Sequence, residues 1–348
     1  MNPYVWATLL STLGLGTLMT FSSSHWLLAW MGLEINTLAI IPIMAQYHHP
    51  RAVEAAIKYF LTQATAAAVI LFSTITNAWL TGQWEIEQMT HPLPVTLLTI
   101  GLALKLGLAP LHSWLPEVLQ GLDLGTGLIV ATWQKLAPLA LLLQIHPSNS
   151  TLLIILGITS TLVGGWGGLN QTQLRKVMAY SSIAHLGWMI LVLQFAPSLT
   201  LAALYIYLIM TASAFFIFKY CKCTNINSLA ISWPKAPALT CLTPLVLLSL
   251  GGLPPLSGFL PKWMILQELA AQDLAITAVI TALTALLSLY FYLRLSYAMA
   301  LVLPPHITLA HMSWRFTPTR MKMHLALTTT STAMLLPLTP ALMALLKR

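Results

Sequence analysis

Four charged side chains stand within long apolar runs of this sequence. They are Glu34 in LAWMGLEINTLAI, Lys105 in TIGLALKLGLAP, Lys135 directly after WQ, and Lys262 in GFLPKW. A charge at the centre of a membrane helix costs about 2.5–3.5 kcal/mol on insertion scales. One such lysine is explained if its long side chain reaches an interface. Four such residues together indicate a functional site.

Proton transfer is the chemistry that suits one glutamate and three lysines in apolar surroundings. Burial favours the neutral amine, and a nearby carboxylate favours the ammonium. Bringing a lysine to titrate near neutrality takes roughly 4.6 kcal/mol, which burial in a dry helix bundle can supply. A buried lysine with a mobile glutamate partner can therefore take up and release a proton as that partner moves.

Two histidines are weaker candidates for the same path. His112 lies in LAPLHSWLPEV, and His185 lies in AYSSIAHLGW. Imidazole titrates near neutrality, so either ring could pass protons, and a hydrogen-bonded structural role is equally compatible with each. We expect Glu117 near a membrane surface and Arg294 towards one end of its span, where an interfacial or paired role is favoured.

The composition indicates which class of protein carries these charges. The chain has 348 residues, of which 57% are apolar and 7% charged, whereas soluble domains are about 25% charged. We therefore predict an all-α polytopic membrane protein with about eleven spans. They lie near 3–21, 25–45, 52–78, 94–110, 124–145, 150–169, 174–195, 198–220, 238–270, 274–302 and 324–346.

Other classes of site are not indicated. No nucleotide-binding glycine motif follows a strand, and the glycines of GLGLG and GGWGG fall within apolar helical runs, where they favour helix packing. Cys221, Cys223 and Cys241 match neither an iron–sulfur pattern nor a disulfide framework. The excess of cations forms no basic run. We expect no metal, no cofactor and no nucleic acid bound to this chain.

One segment occurs twice and interrupts two of the predicted spans. LAPLHSWLPEV begins at Leu108, and LPPLSGFLPKW begins at Leu253, with six matching positions. Prolines open a helix because they lack an N–H, and Ser113 and Ser257 are the expected N-caps of the helices that follow. The interrupted spans are the fourth and the ninth. Their odd separation predicts an inverted repeat, as in many secondary transporters.

This predicts a single transmembrane domain over 1–348. Repeat one covers roughly 25–145, repeat two roughly 174–302, and a C-terminal helix roughly 324–346. Cations near the predicted span ends fall mostly on the side of the N-terminus, which places that end in the compartment equivalent to the cytoplasm. They are Arg51, Arg175, Lys176, Lys219, Lys222, Lys235, Arg315, Arg320 and Lys322, against Lys347 and Arg348 on the other side. The N-terminus carries no cleavable targeting pattern.

At these residues the chain resembles the antiporter-like subunits of respiratory complex I. The motifs that carry the resemblance are PRAVEAAIKYFLTQATAA, LALKLGLAPLHSWLPEV, QKLAPL, AYSSIAHLGWM and GLPPLSGFLPKW, and together they cover essentially the whole chain. The resemblance implies that Glu34 and Lys105 form the family's glutamate–lysine pair. It also implies that Lys135 is the central lysine and Lys262 the lysine of the second broken helix.

The resemblance further implies proton translocation across the mitochondrial inner membrane. Electron transfer from NADH to ubiquinone would occur in other subunits, which would hold the NADH site, FMN, the iron–sulfur clusters and ubiquinone. Sister antiporter-like subunits and the lipid bilayer would be the partners. The N-terminus would lie in the matrix and the C-terminus on the intermembrane-space side.

Our hypothesis is a relay from the matrix through the Glu34–Lys105 pair and Lys135 to Lys262. Two alternatives stay open: a structural or assembly subunit with no proton path of its own, and a free-standing cation/proton antiporter.

Overall fold

The computed structural model describes residues 2–46, 49–89, 91–145, 150–233, 237–300 and 323–346, and every regular element in these ranges is a helix. The predicted all-α class is therefore confirmed. The chain divides into two compact units, Met1–Thr159 and Ser160–Arg348. Lys235, Arg315, Arg320, Lys322, Lys347 and Arg348, which entered the prediction of orientation, lie outside the described residues.

The helices of unit 1 are α1 (Pro3–Ser22), α2 (Trp26–Met44), α3 (Pro50–Thr81), α4 (Pro92–Leu106), α5 (Trp114–Gly121), α6 (Leu124–Thr132) and α7 (Leu136–Gln144). Helix α8 (Ser150–Gly168) crosses the boundary between the units. Unit 2 continues with α9 (Leu174–Val192), α10 (Pro197–Cys221), α11 (Ile226–Ala230), α12 (Pro237–Gly251), α13 (Phe259–Ala271), α14 (Ala275–Ala300), α15 (Met323–Met334) and α16 (Thr339–Leu346). Short 3-10 turns occur at Trp133–Lys135 and Leu336–Leu338.

Seven of the described segments are long and apolar enough to cross a membrane. They are α1, α2, α3, the α6–α7 segment Leu124–Gln144, α8, α10 and α14, and the apolar helices α4 and α12 are shorter. The count of about eleven spans stays a prediction, as does the inverted relation of the two repeats. The predicted C-terminal helix is divided into α15 and α16 by the second 3-10 turn.

Local chemistry explains where several of these helices start. The Asn2 side chain accepts a hydrogen bond from the Tyr4 N–H at 3.3 Å, and Asp123 accepts one from Gly125 at 3.3 Å. Proline occupies the first turn of α1, α3 and α4, where its missing N–H costs nothing. Within unit 1, a Cβ on Gly32 would lie 2.9 Å from the Gly16 carbonyl oxygen, so glycine permits the close contact of α1 with α2.

Both predicted helix interruptions are present, one in each unit. Helix α4 ends at Gly107, whose φ of 78° is left-handed and whose N–H donates to the Ala103 and Leu104 carbonyls. Helix α12 ends in the same way at Gly252, with φ 83°. Glycine adopts this conformation without a Cβ penalty.

The predicted N-cap is correct in position for the first interruption and wrong for the second. Ser113 is the N-cap of α5, but its side chain makes no cap hydrogen bond. Gly258, not Ser257, occupies the N-cap of α13, and the Ser257 hydroxyl donates instead to the Thr332 carbonyl at 2.7 Å. Ser257 is therefore used to hold α15 rather than to start α13.

A third interruption was not predicted from the sequence. The apolar run over 124–145 is divided by the 3-10 turn Trp133–Lys135. Pro138, in the first turn of α7, cannot donate to the Gln134 carbonyl four residues earlier. A 3-10 segment inside a helix often marks a functional hinge, and here it carries Lys135.

Candidate functional site

Lys105 occupies the last turn of α4, just before the interruption at Gly107. Its residue is 5% exposed. Its Nζ makes no hydrogen bond to any residue in the described part of the chain. Glu34 lies within electrostatic range of Lys105, but among the described residues the two side chains form no ion pair within 4 Å. The two residues predicted as a pair therefore lie in the same unit without direct contact.

Glu34 lies on α2 and is half-buried. Its Oε2 accepts a hydrogen bond from the Thr37 hydroxyl at 2.9 Å, and that hydroxyl also lies 2.8 Å from the Glu34 carbonyl oxygen. The single hydroxyl proton of Thr37 can therefore serve either the backbone or the carboxylate. Sequence reasoning missed Thr37: the spacing of three residues places its side chain beside Glu34 on the helix surface, but it does not show which group the hydroxyl binds.

Lys135 is 2% exposed and sits in the 3-10 turn between α6 and α7. The preceding residue, Gln134, contacts two other helices of unit 1. Its Oε1 lies 3.4 Å from the Tyr59 hydroxyl on α3, and its Nε2 lies 3.5 Å from the Asn36 carbonyl oxygen on α2. Tyr59 also interacts electrostatically with Glu34. Polar groups of α2, α3 and the turn that holds Lys135 therefore meet inside unit 1.

Several buried polar atoms in this region are unsatisfied within the described residues. They include Asn36 Oδ1, Gln63 Nε2 and Lys105 Nζ. Buried polar atoms in native proteins nearly always have a partner, which is often internal water. The interior of unit 1 therefore contains a polar region in which water could pair with these atoms, as proton transfer requires.

Lys262 belongs to unit 2 and lies in the first turn of α13. Its Nζ donates to the Gly251 carbonyl oxygen at 2.8 Å, at the end of α12. This half-buried lysine lines a pocket together with His185 of α9. The other lining residues are Ser181, Ala184, Trp188, Ser288 and Tyr292. Two predicted site residues, Lys262 and His185, are thus placed together.

His112 makes a local contact within the first interruption. Its Nδ1 lies 3.2 Å from the Pro110 carbonyl oxygen, and the residue is half-buried. This contact suits a structural histidine, and the predicted part of His112 in proton transfer stays a hypothesis. Arg294 donates from Nη1 to the Leu169 carbonyl oxygen at 2.7 Å, which matches the paired role expected for it.

Glu117 occupies the position that corresponds to Lys262 in the duplicated motif, and its surroundings differ. It pairs with Lys58 at 2.8 Å, and the two side chains are 53% and 42% exposed. Lys58 pairs as well with Glu54 at 2.8 Å. Helix α3 has 32 residues, more than the roughly 20 needed to cross hydrocarbon. The expected surface position of Glu117 therefore agrees with this exposed ion pair.

No group of histidine, cysteine or acidic side chains in the described ranges could hold a metal ion. Of the three cysteines, Cys221 and Cys223 are buried and Cys241 is exposed.

Comparisons with known proteins give one consistent family. The family described as "NADH:quinone oxidoreductase/Mrp antiporter, TM" matches residues 23–288, and "NADH dehydrogenase subunit 2 C-terminus" matches residues 289–343. NADH-ubiquinone oxidoreductase chain 2 of Tetraodon nigroviridis is 68% identical over 345 residues, covering 99% of both chains. The protein of the same name from Oncorhynchus mykiss is 66% identical over 347 residues, again covering 99% of both.

Solved structures agree with this family. A chain of respiratory complex I from Thermus thermophilus matches with a TM-score of 0.83 and 29% identity, covering 98% of this chain and 81% of that one. A chain of the Mrp complex from Dietzia sp. matches with a TM-score of 0.77 and 16% identity, covering 97% of this chain and 74% of that one. The second likeness concerns the fold alone.

Proposed function

This chain belongs to the NADH:quinone oxidoreductase/Mrp antiporter family and is a proton-translocating, antiporter-like membrane subunit of complex I, and from this premise we propose that its buried charges form the proton path. The members of the path are Glu34, Lys105, Lys135 and Lys262, with His185 beside Lys262 and His112 as a further candidate. The observation that carries the proposal is Lys105, a lysine only 5% exposed whose Nζ has no hydrogen-bond partner among the described residues and which lies within electrostatic range of Glu34.

Movement of Glu34 would control the proton affinity of Lys105. Two unit charges attract by about 4 kcal/mol at 4 Å and about 2 kcal/mol at 8 Å when the effective dielectric constant is 20. A swing of that size changes the affinity of the lysine for its proton by roughly 2 kcal/mol, or about thirtyfold. The Thr37 hydroxyl provides the alternative partner that holds the carboxylate against its own helix.

We assign the later steps to Lys135 and Lys262. Lys135 receives the proton from the Glu34–Lys105 pair, and Lys262 passes it towards the exit. The buried position of Lys135 and the carbonyl partner of Lys262 support these roles. Moving one charge against 100 mV needs about 2.3 kcal/mol, which matches the roughly 2 kcal/mol available from the Glu34 swing.

The chain is part of an enzyme complex, NADH-ubiquinone oxidoreductase, and partners other subunits of that complex in a membrane. We propose that the redox steps with NADH, FMN, iron–sulfur clusters and ubiquinone occur in those subunits and that this chain holds no redox centre. We further propose sister antiporter-like subunits as neighbours and the mitochondrial inner membrane as the location. The bias of cations supports an N-terminus in the matrix and a C-terminus on the intermembrane-space side.

The test is Lys135→Met in the assembled complex, with Lys58→Met as the matched control. Lys135 is 2% exposed, whereas Lys58 is 42% exposed in its side chain and makes surface ion pairs, which contribute little. We expect Lys135→Met to lower the number of protons moved per electron, and Lys58→Met to leave it unchanged.

Measurements per assembled complex separate the proposal from its alternatives. Unchanged pumping by the Lys135→Met complex would refute the relay. A loss that only tracks lost complex would support a structural subunit. Sodium-dependent transport by the isolated chain in vesicles would support a free-standing antiporter.

A further inference from the structure

The pocket beside Lys262 in unit 2 contains a hydroxyl group that the relay has not used. Tyr292 of α14 is 1% exposed and is one of the residues that line this pocket. The hydroxyl lies near Ser181, yet it makes no hydrogen bond of acceptable geometry with any described residue. A buried hydroxyl without a partner destabilises the fold, so its presence here calls for a functional reason.

The other hydroxyl groups of the pocket already give their protons to the backbone. Ser181 donates to the Met178 carbonyl oxygen at 2.8 Å, and Ser288 donates to the Ala285 carbonyl oxygen at 2.8 Å. Among the lining side chains, Tyr292 therefore has the one hydroxyl proton that is not held by a hydrogen bond. It is available to a group that enters or moves within the pocket.

The position of Tyr292 relates it directly to Lys262. A Cβ on Gly251 would lie 3.7 Å from Tyr292 Cδ2, so the tyrosine ring packs beside Gly251. The carbonyl oxygen of the same glycine accepts the hydrogen bond from Lys262 Nζ at 2.8 Å. Lys262 and Tyr292 therefore both lie beside Gly251, at the end of α12.

The pocket lining includes no carboxylate. Besides the two serine oxygens, the lining offers the Tyr292 hydroxyl and the His185 ring as neutral acceptors for a proton that leaves Lys262. His185 also packs near the Tyr207 ring, with 5.5 Å between the ring centres.

We propose that the Tyr292 hydroxyl is a proton-transfer group between Lys262 and His185. This inference rests on the function proposed above. An N–H bond of the Lys262 ammonium breaks as its proton bonds to the Tyr292 oxygen. The original O–H bond of Tyr292 breaks as that proton passes to a ring nitrogen of His185. Lys262 becomes a neutral amine, His185 gains one proton, and the tyrosine ends as a neutral hydroxyl.

The experiment compares Tyr292→Phe with Tyr290→Phe in the assembled complex. Both changes remove one hydroxyl from a ring on the same helix, but Tyr290 is 58% exposed. Because the Tyr292 hydroxyl is unpaired, its removal leaves packing intact and assembly at the normal level. We expect proton transfer in this step to slow by about 10²-fold, the lower end of what a positioned acid–base group contributes. NADH-driven pumping per assembled complex should fall with it.

The outcomes separate a failure of the Tyr292 transfer step from a failure of the proposed relay through Lys262. Lower pumping or a lower proton-to-electron ratio per complex for Tyr292→Phe, with Tyr290→Phe unaffected, supports the inference. Unchanged values overturn it, as does an equal loss in both variants or a loss of assembly with normal turnover in the remaining complex. Lys262→Met is the reference: if it abolishes pumping while Tyr292→Phe does not, the relay stands without the tyrosine. If neither change has an effect, the role of Lys262 itself is wrong.

Discussion

Gly252 offers a sharp test of whether the position of Lys262 matters. Its φ of 83° is left-handed, and a Cβ there would lie 2.9 Å from Lys262 Cδ and 3.0 Å from its Nζ. The Gly252→Ala change therefore has two costs. The left-handed backbone costs about 1–2 kcal/mol for any residue with a Cβ. The flexible lysine side chain must also move away, which breaks its hydrogen bond to the Gly251 carbonyl oxygen.

The loss of the hydrogen bond between Lys262 and the Gly251 carbonyl oxygen determines the expected effect on proton pumping. A hydrogen bond to a charged group contributes about 1.5–3 kcal/mol. Its loss makes the present position of the ammonium roughly ten- to a hundredfold less populated, since 1.4 kcal/mol corresponds to tenfold. The fold should tolerate the change, because the side chain that yields is flexible. Proton pumping per assembled complex should fall by a comparable factor, measured as NADH-driven acidification in proteoliposomes or inverted membrane vesicles.

Gly82→Ala is the matched control. Gly82 ends α3 with φ 72°, and nothing lies within 4 Å of a Cβ placed there. This variant has the backbone cost alone, so it should lose stability to a similar extent while pumping normally. Equal pumping by the Gly252→Ala and Gly82→Ala complexes would refute the reasoning, because the position of the Lys262 ammonium would then have no bearing on transport.

Two further predictions concern unit 1. Thr37→Val removes the hydroxyl that binds Glu34 Oε2. The loss should favour the position of the carboxylate nearer Lys105 by about 1 kcal/mol and so alter the pH profile of turnover. Thr65→Val is the control, because its hydroxyl bonds the Thr62 carbonyl and its loss should leave the profile unchanged; identical profiles for the two variants would contradict the proposed swing. Glu117→Gln weakens an exposed pair with Lys58 that is worth about 0–1 kcal/mol. Assembly and pumping should therefore match the native complex, whereas a loss as large as that of Lys135→Met would place Glu117 in the proton path.

The sequence could predict the charged members of the candidate site because the free-energy cost of a charge in an apolar run can be recognised from the sequence alone. A lysine in an apolar run is expensive wherever the helix packs, and Lys105 and Lys135 are indeed almost fully buried. The hydroxyl members were not predictable in the same way. Most threonines and serines of these helices donate to a carbonyl three or four residues earlier, as Thr65 does, so their presence signals nothing by itself. Only the side-chain positions in the structure show that Thr37 also reaches the carboxylate of Glu34, three residues earlier on the same helix.

Tertiary contacts likewise decided the details of the interruptions. Proline was sufficient to predict both breaks, because its backbone restrictions are local. Ser257 was misassigned as an N-cap because its hydroxyl bonds to Thr332, 75 residues away. The 3-10 turn at Lys135 had a local signal in Pro138, but a proline in the first turn of a helix is also compatible with an ordinary helix start.

Each interruption ends a helix at a left-handed glycine, and a different kind of side chain binds a carbonyl oxygen near each helix end. At the first, the Trp114 indole N–H donates to the Leu104 carbonyl oxygen at 3.1 Å. At the second, the Lys262 ammonium donates to the Gly251 carbonyl oxygen at 2.8 Å. An indole does not titrate, so the first helix end is held in the same way whatever the protonation state of the path.

The lysine cap is different because a charge-assisted hydrogen bond is roughly twice as strong as a neutral one, and a cation at a helix C-terminus is further stabilised by the helix dipole. In the proposed relay, release of the Lys262 proton would weaken this one hydrogen bond, while the Gly252 N–H would keep its bonds to the Leu248 and Ser249 carbonyl oxygens. Under the proposed relay, the duplicated motif would give one helix end with a partner that does not titrate and one with a partner that does, a difference that suits a path with a direction.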